Sequence, residues 1–423
     1  MLIPPSLLSL TRPRLEDVTV MRYGTQRLML LLVIPVLLVS NAPFIAGPAK
    51  AQVTDPFYWP TEGWLVSSPE QQGMSSAILN QLLGVIANDA LPVESILVVR
   101  HGYLVFEIYP GQDTVDTLQL LHSVSKSFTS ALVGIAIEQG FIPSVDTSVV
   151  SLFPTRTIAN MDARKEAMTV EHLLNMEAGL EWDEWTYPYE DPRNDVLAMI
   201  SDPDPTQYVL DKPMAADPGT TWVYNTGVTH LLGAIIRETT GQTPLAFGNN
   251  HLFGPLGIDG VFWFNDRTGL SLGGSGLNLR PRDMAKFGFL FLHGGEWAGV
   301  QIVPNAWVTQ SRVAVAVPWQ GTGYGYQWWK DLTLNTYEAR GRYNQWIIVS
   351  QEHDLVMVMT ADDTTGVINP LALAQNYVFA AITNQYLAPQ SPLVVGLAIG
   401  LIVGVPVAVV VGMLLWRRRR TPA

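Results

Sequence analysis

The sequence predicts an α/β (α+β) fold in which one sheet is assembled from both ends of the globular chain, with a mostly helical lobe inserted between them. Three observations carry this expectation. β-rich runs come early, at 94–100 and 103–109; helical stretches with long polar, Trp-rich connections fill 146 to about 315; and β-rich runs return at 324–329, 345–349 and 355–360. Strands on both sides of a helical segment bury their apolar faces best in a common sheet, which makes the helices an insertion.

Taken in order, residues 52–72 are a Pro- and aromatic-rich lead-in around Asp55-Pro56-Phe57-Tyr58-Trp59-Pro60, expected to pack against the domain. A short helix over 75–90 follows. The two early strands are separated only by His101-Gly102, which reads as a tight hairpin. The strongest helix covers 123–139, where Val124, Phe128, Ala131, Leu132, Ile135 and Ala136 recur at spacings of three and four and Gly140 ends the run. Within the lobe the clearest helices are 196–201, 227–239 and 282–293. An amphipathic helix over 370–385 closes the domain.

Both ends of the chain are apolar. Leu393 to Trp416 holds 24 residues without a charge and is followed by Arg417-Arg418-Arg419-Arg420. As a helix this run rises roughly 36 Å, enough to cross a hydrocarbon core of about 30 Å. The arginines read as a stop-transfer signal on the cytoplasmic side. At the other end, Arg22 and Arg27 precede an apolar stretch from Leu28 to Val39, and Ala49-Lys50-Ala51 supplies a small-x-small site. That order is the order of a secretory signal peptide cleaved after Ala51; an uncleaved signal anchor is the alternative, and Met21 offers a second start. The expected division is 1–51 as extension and signal, 52–386 as an exported domain, 387–392 as linker, 393–416 as membrane helix and 417–423 as a basic cytoplasmic tail.

The chain carries a net charge of −12, and the exported part is more acidic still, because 1–51 holds five basic against two acidic groups and the tail adds four arginines. Such a surface repels phosphate backbones, so nucleic acid is not an expected partner. With no cysteine there are no disulfides, thiolate ligands or Cys nucleophile, and the seven histidines form no H-x-x-x-H pair. No metal or other cofactor is expected; the expected partners are a small-molecule substrate and, through the C-terminal helix, a membrane.

Ser123-Val124-Ser125-Lys126 opens the strongest helix. Positions three apart share a face, so the Lys126 amine reaches the Ser123 hydroxyl. A free serine is a weak nucleophile until a neutral neighbour takes its proton, and a lysine does so when burial or nearby positive potential lowers its pKa. Lys126 stands among apolar positions near the positive end of its helix, where the Ser123 N–H also points at a developing oxyanion. The tetrapeptide alone is cheap, and a solvated lysine is its ordinary meaning. A lysine committed to an otherwise apolar helix is costly to bury without a purpose.

The wider context carries a resemblance. Residues 122–131 (HSVSKSFTSA) resemble the first motif of the class C β-lactamase and penicillin-binding-protein superfamily, most of all its branch of 6-aminohexanoate-dimer hydrolase and related esterases. Four more blocks are similar in the same order: 173–180 (LLNMEAGL) followed by Trp182-Asp183; Pro218-Gly219-Thr220 through Tyr224 to Gly233; 282–288 (RDMAKFG); and Ala339-Arg340-Gly341 through Gln345. The resemblance covers residues 60–385. It implies a β-lactamase/transpeptidase-like fold, an antiparallel sheet flanked by helices, with the site in the cleft between sheet and lobe.

The resemblance also implies roles. Tyr224 matches the tyrosine of a Y-x-N motif and would relay a proton to the leaving group. Thr226 stands where asparagine is usual, and either its hydroxyl or Asn225 would face Lys126 or substrate. Gly341 would let the strand backbone approach the acyl group, and the backbone N–H of Arg342 would join that of Ser123 as the oxyanion hole. The lysine that holds a β-lactam carboxylate is replaced by Ala339; Arg340 substitutes only if its side chain turns toward the site. Trp182 and Tyr187, with Trp185 and Tyr189 beside them, are candidate substrate contacts, although aromatics in such a loop equally pack a lobe. His122 is expected to be structural.

A rival constellation is Gly269-Leu270-Ser271-Leu272-Gly273, which satisfies G-x-S-x-G. The nucleophile elbow of that pattern needs a strand before and a helix after, whereas Gly273-Gly274-Ser275-Gly276 reads as a loop. The expected activity is membrane-tethered, extracytoplasmic hydrolysis of ester or linear amide bonds through an acyl-enzyme on Ser123. A cell-wall D,D-peptidase or weak β-lactamase is the alternative enzyme, and a non-catalytic sensor of acyl compounds the alternative of another class.

Overall fold

A computed structural model describes residues 58–383. The expected signal and linker segments, the apolar C-terminal run and the arginine cluster lie outside them, and no helix among the described residues is long and apolar enough to cross a membrane.

The main sheet holds β1 (Val93–Arg100), β2 (Tyr103–Ile108), β3 (Val315–Ala316), β4 (Thr322–Gly325), β5 (Trp328–Asp331), β6 (Thr336–Gly341), β7 (Gln345–Ser350) and β8 (Leu355–Ala361). Their spatial order is β2-β1-β8-β7-β6-β5-β4-β3, antiparallel throughout. Early and late strands therefore meet at β1 and β8, in the register Val98↔Met357, and the lobe leaves and re-enters between β2 and β3. The β1–β2 link takes positive φ at both residues, 51° at His101 and 81° at Gly102, the geometry a two-residue hairpin needs to match strand twist.

Alternation makes this sheet the centre of the molecule. Leu97, Val99, Ile347, Val349, Val356 and Val358 face one core, and Ile96, Val98, Ile348, Met357 and Met359 face another. A sheet apolar on both faces needs a cover on each. The second core is covered by the terminal helices Gln81–Asn88 and Pro370–Leu373, the latter running into the π-helical turn Ala374–Phe379. The first core takes in α1 (Ser125–Glu138), α2 (Thr226–Thr240) and α3 (Pro281–Leu292). A Cβ at Gly288 of α3 would stand 2.6 Å from Val356 and 2.8 Å from Ile347. The helix expected over 282–293 within the lobe is therefore a cover laid directly on the sheet. The aromatic lead-in packs on it in turn, with the rings of Trp59 and Trp64 5.7 and 5.6 Å from that of Phe289.

Other boundaries differ from the sequence pattern for tertiary reasons. The helix expected over 75–90 is two, Ser76–Leu79 and Gln81–Asn88. The run 324–329 is not one strand, because Tyr326 and Gln327 adopt φ of 44° and 68° and fold it into the β4–β5 hairpin. Gln327 holds that conformation by its contacts: its amide donates to the Leu173 and Leu174 carbonyls, its Oε1 accepts from Thr229, and its backbone carbonyl accepts from Ser127. The closing helix turns to π geometry at Ala374–Phe379, and residues 384–385 of its expected span lie outside the described chain.

Candidate active site

Ser123 lies in a 3₁₀ turn, His122–Val124, that leads into α1. His122 enters the turn at φ 47°, and its carbonyl accepts the Ser125 hydroxyl at 2.6 Å, while the Ser125 oxygen accepts the Leu277 N–H at 3.2 Å. Burial, reinforced by the charges of Arg342 and Lys126, pushes the His122 imidazole down to about 4, so it is neutral at pH 7. The other polar residues of α1 tie it to its surroundings: Ser127 donates to the Gln327 carbonyl, Thr129 to the Gly273 carbonyl, and Ser130 accepts from the Trp307 indole.

Lys126 is only 2% exposed, and its Nζ reaches Ser123 Oγ at 3.0 Å, Thr226 Oγ1 at 3.0 Å and the Gly274 carbonyl at 2.8 Å. Burial lowers its pKa to about 8, against the opposing charge of Glu184. The neighbours of this amine orient its lone pair. A carbonyl can only accept, so Gly274 takes one N–H. The single hydroxyl proton of Thr226 goes to Glu184 Oε1 at 2.9 Å, so Thr226 also accepts from Lys126. A neutral amine has two N–H groups, and both are then used. What remains toward Ser123 in the neutral form is the lone pair, whereas the ammonium form donates its third N–H there.

Glu184 carried no signal in the sequence beyond its place in an aromatic stretch after the Gly179 block. It is 2% exposed. Its Oε2 accepts from the Trp182 indole at 2.6 Å and the Thr226 N–H at 2.7 Å, and its Oε1 from the Tyr189 hydroxyl at 3.0 Å besides Thr226. Four donors on two oxygens are what an interior carboxylate requires.

Tyr224 is buried, with Lys126 Nζ 4.9 Å from its ring centre. Burial, then the charge of Glu184, raise its pKa above the ordinary tyrosine value, opposed by its hydrogen bond with Ser123, so the phenol keeps its proton. Asn225 caps α2, its Oδ1 accepting from the Val228 N–H at 3.0 Å. Of the two residues after Tyr224, it is thus Thr226 that meets Lys126.

Gly341 of β6 presses on the Ser123 turn: a Cβ there would stand 2.4 Å from the Leu121 carbonyl oxygen and 3.3 Å from the Val124 nitrogen. Ala339 is buried, and Arg340 donates to the buried Glu338 at 2.9 Å while lying over the rings of Trp329 and Trp346. Arg342 stands in the β6–β7 turn, 3.3 Å from Glu190 and over the ring of Tyr189. Trp182 and Tyr187, the candidate substrate contacts, each have a partner within the protein. Trp182 is buried under α2, 2.8 Å from where a Cβ of Gly227 would be, and anchors Glu184; Tyr187 carries the Arg193 guanidinium over its ring at 4.0 Å. Trp185 of the same loop is the ring that meets Tyr224, at 5.7 Å.

Ser271 is fully buried and its Oγ accepts from the Leu245 N–H. The glycines that follow it serve close passage: a Cβ at Gly273 would stand 2.4 Å from the Thr229 carbonyl oxygen, and one at Gly274 2.7 Å from Thr226 Cγ2. This threading brings the Gly274 carbonyl to Lys126. A separate hollow of about 680 Å³, bordered by Thr61, Arg280, Asp283 and Lys286, holds cations already engaged. Lys286 donates to the Thr61 and Gly257 carbonyls, and Arg280 to Asp259 and Asp283.

The pattern of the family described as Beta-lactamase matches residues 85–376. The chain is similar to 6-aminohexanoate-dimer hydrolase of Paenarthrobacter ureafaciens, 27% identical over 259 residues that cover 56% of this chain and 64% of that protein. It is also similar to lovastatin esterase of Penicillium rubens, 23% identical over 224 residues, covering 46% and 54%. The chain spans less than two thirds of the length of either curated relative. Among solved structures, the octameric penicillin-binding protein homologue from Pyrococcus abyssi superposes with a TM-score of 0.59 at 20% identity, covering 74% of this chain and 78% of that one, a likeness of fold. With the family pattern running from before β1 to the closing helix, the chain belongs to the Beta-lactamase family.

Proposed function

We propose that the protein is a serine hydrolase that opens ester or linear amide bonds through an acyl-enzyme on Ser123, with Lys126 as base and Tyr224 as proton relay. The observation that carries this reading is the hydrogen-bond set of Lys126: once the amine is neutral, the Gly274 carbonyl and Thr226 take its two N–H groups and its lone pair is left for Ser123 Oγ, 3.0 Å away. As Oγ attacks the carbonyl carbon, Lys126 takes its proton. The backbone N–H groups of Ser123 and Arg342 receive the oxyanion. The Tyr224 phenol gives its proton to the departing alcohol or amine and regains one from Lys126. Water then attacks the acyl carbon by the same route in reverse, releasing the acid and Ser123. Glu184, through Thr226, positions the amine.

Esters and linear amides are favoured over β-lactams because Ala339 offers no donor to a ring carboxylate and Arg340 is engaged by Glu338. Losing one charge-assisted hydrogen bond costs about 1.5–3 kcal/mol, roughly ten- to a hundred-fold in rate. In a screen of short-chain esters, linear amides, a chromogenic cephalosporin and D-Ala-D-Ala peptides, esters and amides are expected to turn over, with the cephalosporin slower by about two orders of magnitude. Ser123→Ala should abolish turnover. Cephalosporin hydrolysis as fast as that of esters would contradict the assignment, and preferred cleavage of D-Ala-D-Ala peptides would favour the cell-wall reading.

The exported, tethered placement rests on the sequence pattern of the two ends. Protease added to intact cells is expected to digest the domain and spare a tag placed after Ala423. Loss of that tag from unpermeabilised cells would reverse the orientation.

A further inference from the structure

We infer that an aryl-bearing ester or amide is the preferred substrate class, its ring received on an aromatic rail formed by Trp185 and Trp319 beside Tyr224. The inference rests on the Ser123 hydrolase reading and adds what the site selects. Trp185 is 61% exposed and Trp319 41% exposed, yet the two indoles lie side by side, 5.5 Å between centres at 34°. Trp185 stands edge-on to Tyr224 at 5.7 Å, and Trp319 edge-on to Trp222 at 5.4 Å. The exposed faces therefore begin at the phenol assigned to the leaving group and run outward.

The loop bearing Trp185 is fixed. The Trp185 and Thr186 N–H groups both donate to Asp183 Oδ1, at 3.1 and 2.9 Å, and the Asp183 N–H donates to Asp195 Oδ2 at 2.7 Å. Large exposed apolar surface beside a reaction centre, held by its own hydrogen bonds, is the signature of a binding face whose contact is completed by ligand. Flat indole faces favour a flat ring, through offset or edge-on contacts. The ligand group is uncharged, because the nearby cations Arg340 and Arg342 are matched to Glu338 and Glu190.

The test compares benzyl acetate and ethyl phenylacetate with ethyl acetate, followed by acid release. At least one aryl ester should be preferred by the parent, and Trp185→Ala or Trp319→Ala should lower the aryl-to-ethyl ratio of kcat/KM by about tenfold, the size of one aromatic contact. The change should fall on KM rather than kcat, and Trp185→Phe should restore most of it. Ratios unmoved by either substitution overturn the rail. Benzyl acetate binding to Ser123→Ala, read by quenching of indole fluorescence, separates this from failure of the hydrolase reading. Quenching that disappears when Trp185→Ala and Trp319→Ala are added supports the rail even in a protein that hydrolyses nothing; quenching that persists refutes it.

Discussion

A lysine with a pKa of about 8 is neutral in roughly one molecule in ten at pH 7, and that fraction is the active one if Lys126 is the base. The logarithm of kcat/KM should then rise with pH and level off above about 8. Glu184 raises this pKa, so Glu184→Gln should shift the acid limb to lower pH, a change that a merely structural role would not produce. Lys126→Arg keeps the charge but cannot deprotonate, and a loss on the order of 10³-fold is expected. A flat profile between pH 6 and 9, or an Arg variant within a few-fold of the parent, contradicts the assignment. Stability follows the same titration. Below pH 8 the lysine is charged in both the folded and unfolded states, and the burial cost is fully felt. Between about 8 and 10.5 folding releases its proton, so the folded state gains on the order of 3 kcal/mol across that window as pH rises.

Elements position these residues through close approach, and the glycines show where it matters. Gly341→Ala places a carbon against the Leu121 carbonyl and must displace either β6 or the Ser123 turn. β6 is paired on both sides and the turn is tied through Ser125, so about 1–3 kcal/mol of overpacking strain is expected, with activity lost at least tenfold while the fold is kept. Gly84, within the helix Gln81–Asn88, has open space around it, and Gly84→Ala should instead stabilise by about 0.5–1 kcal/mol. Urea unfolding and kcat/KM on both variants check the contrast; equal behaviour would sink it. The same distinction separates what was legible in the sequence from what was not. β1, β2, β7, β8, α1 and α2 follow from apolar period. The β4–β5 hairpin does not, because Gln327 is held in a left-handed conformation by lobe carbonyls far away in sequence. Nor does the place of α3, since an apolar stripe does not say whether it meets a sheet or a helix. Within the site, Ser123, Lys126 and Tyr224 stand in sequence blocks, whereas Glu184 becomes part of it only when Thr226, Trp182 and Tyr189 converge on its carboxylate.

At the scale of the whole molecule, three layers meet at one seam. The terminal helices cover one sheet face, α3 and α1 the other, and the lobe brings α2, with Tyr224 at its start, up to the lysine of α1. Chain closure between β1 and β8 keeps the sheet continuous, so the strand that ends in Gly341 and the turn that carries Ser123 hold a fixed relation. The architecture thus brings Lys126 and Tyr224 to the Ser123 hydroxyl and the strand edge at Gly341 to the turn that carries it. A fluorophosphonate probe followed by peptide mass spectrometry reads that convergence most directly. One adduct on Ser123, absent from Ser123→Ala and weakened as pH falls below 8, is the predicted result. An adduct on Ser271, or labelling that survives Ser123→Ala, would contradict the account.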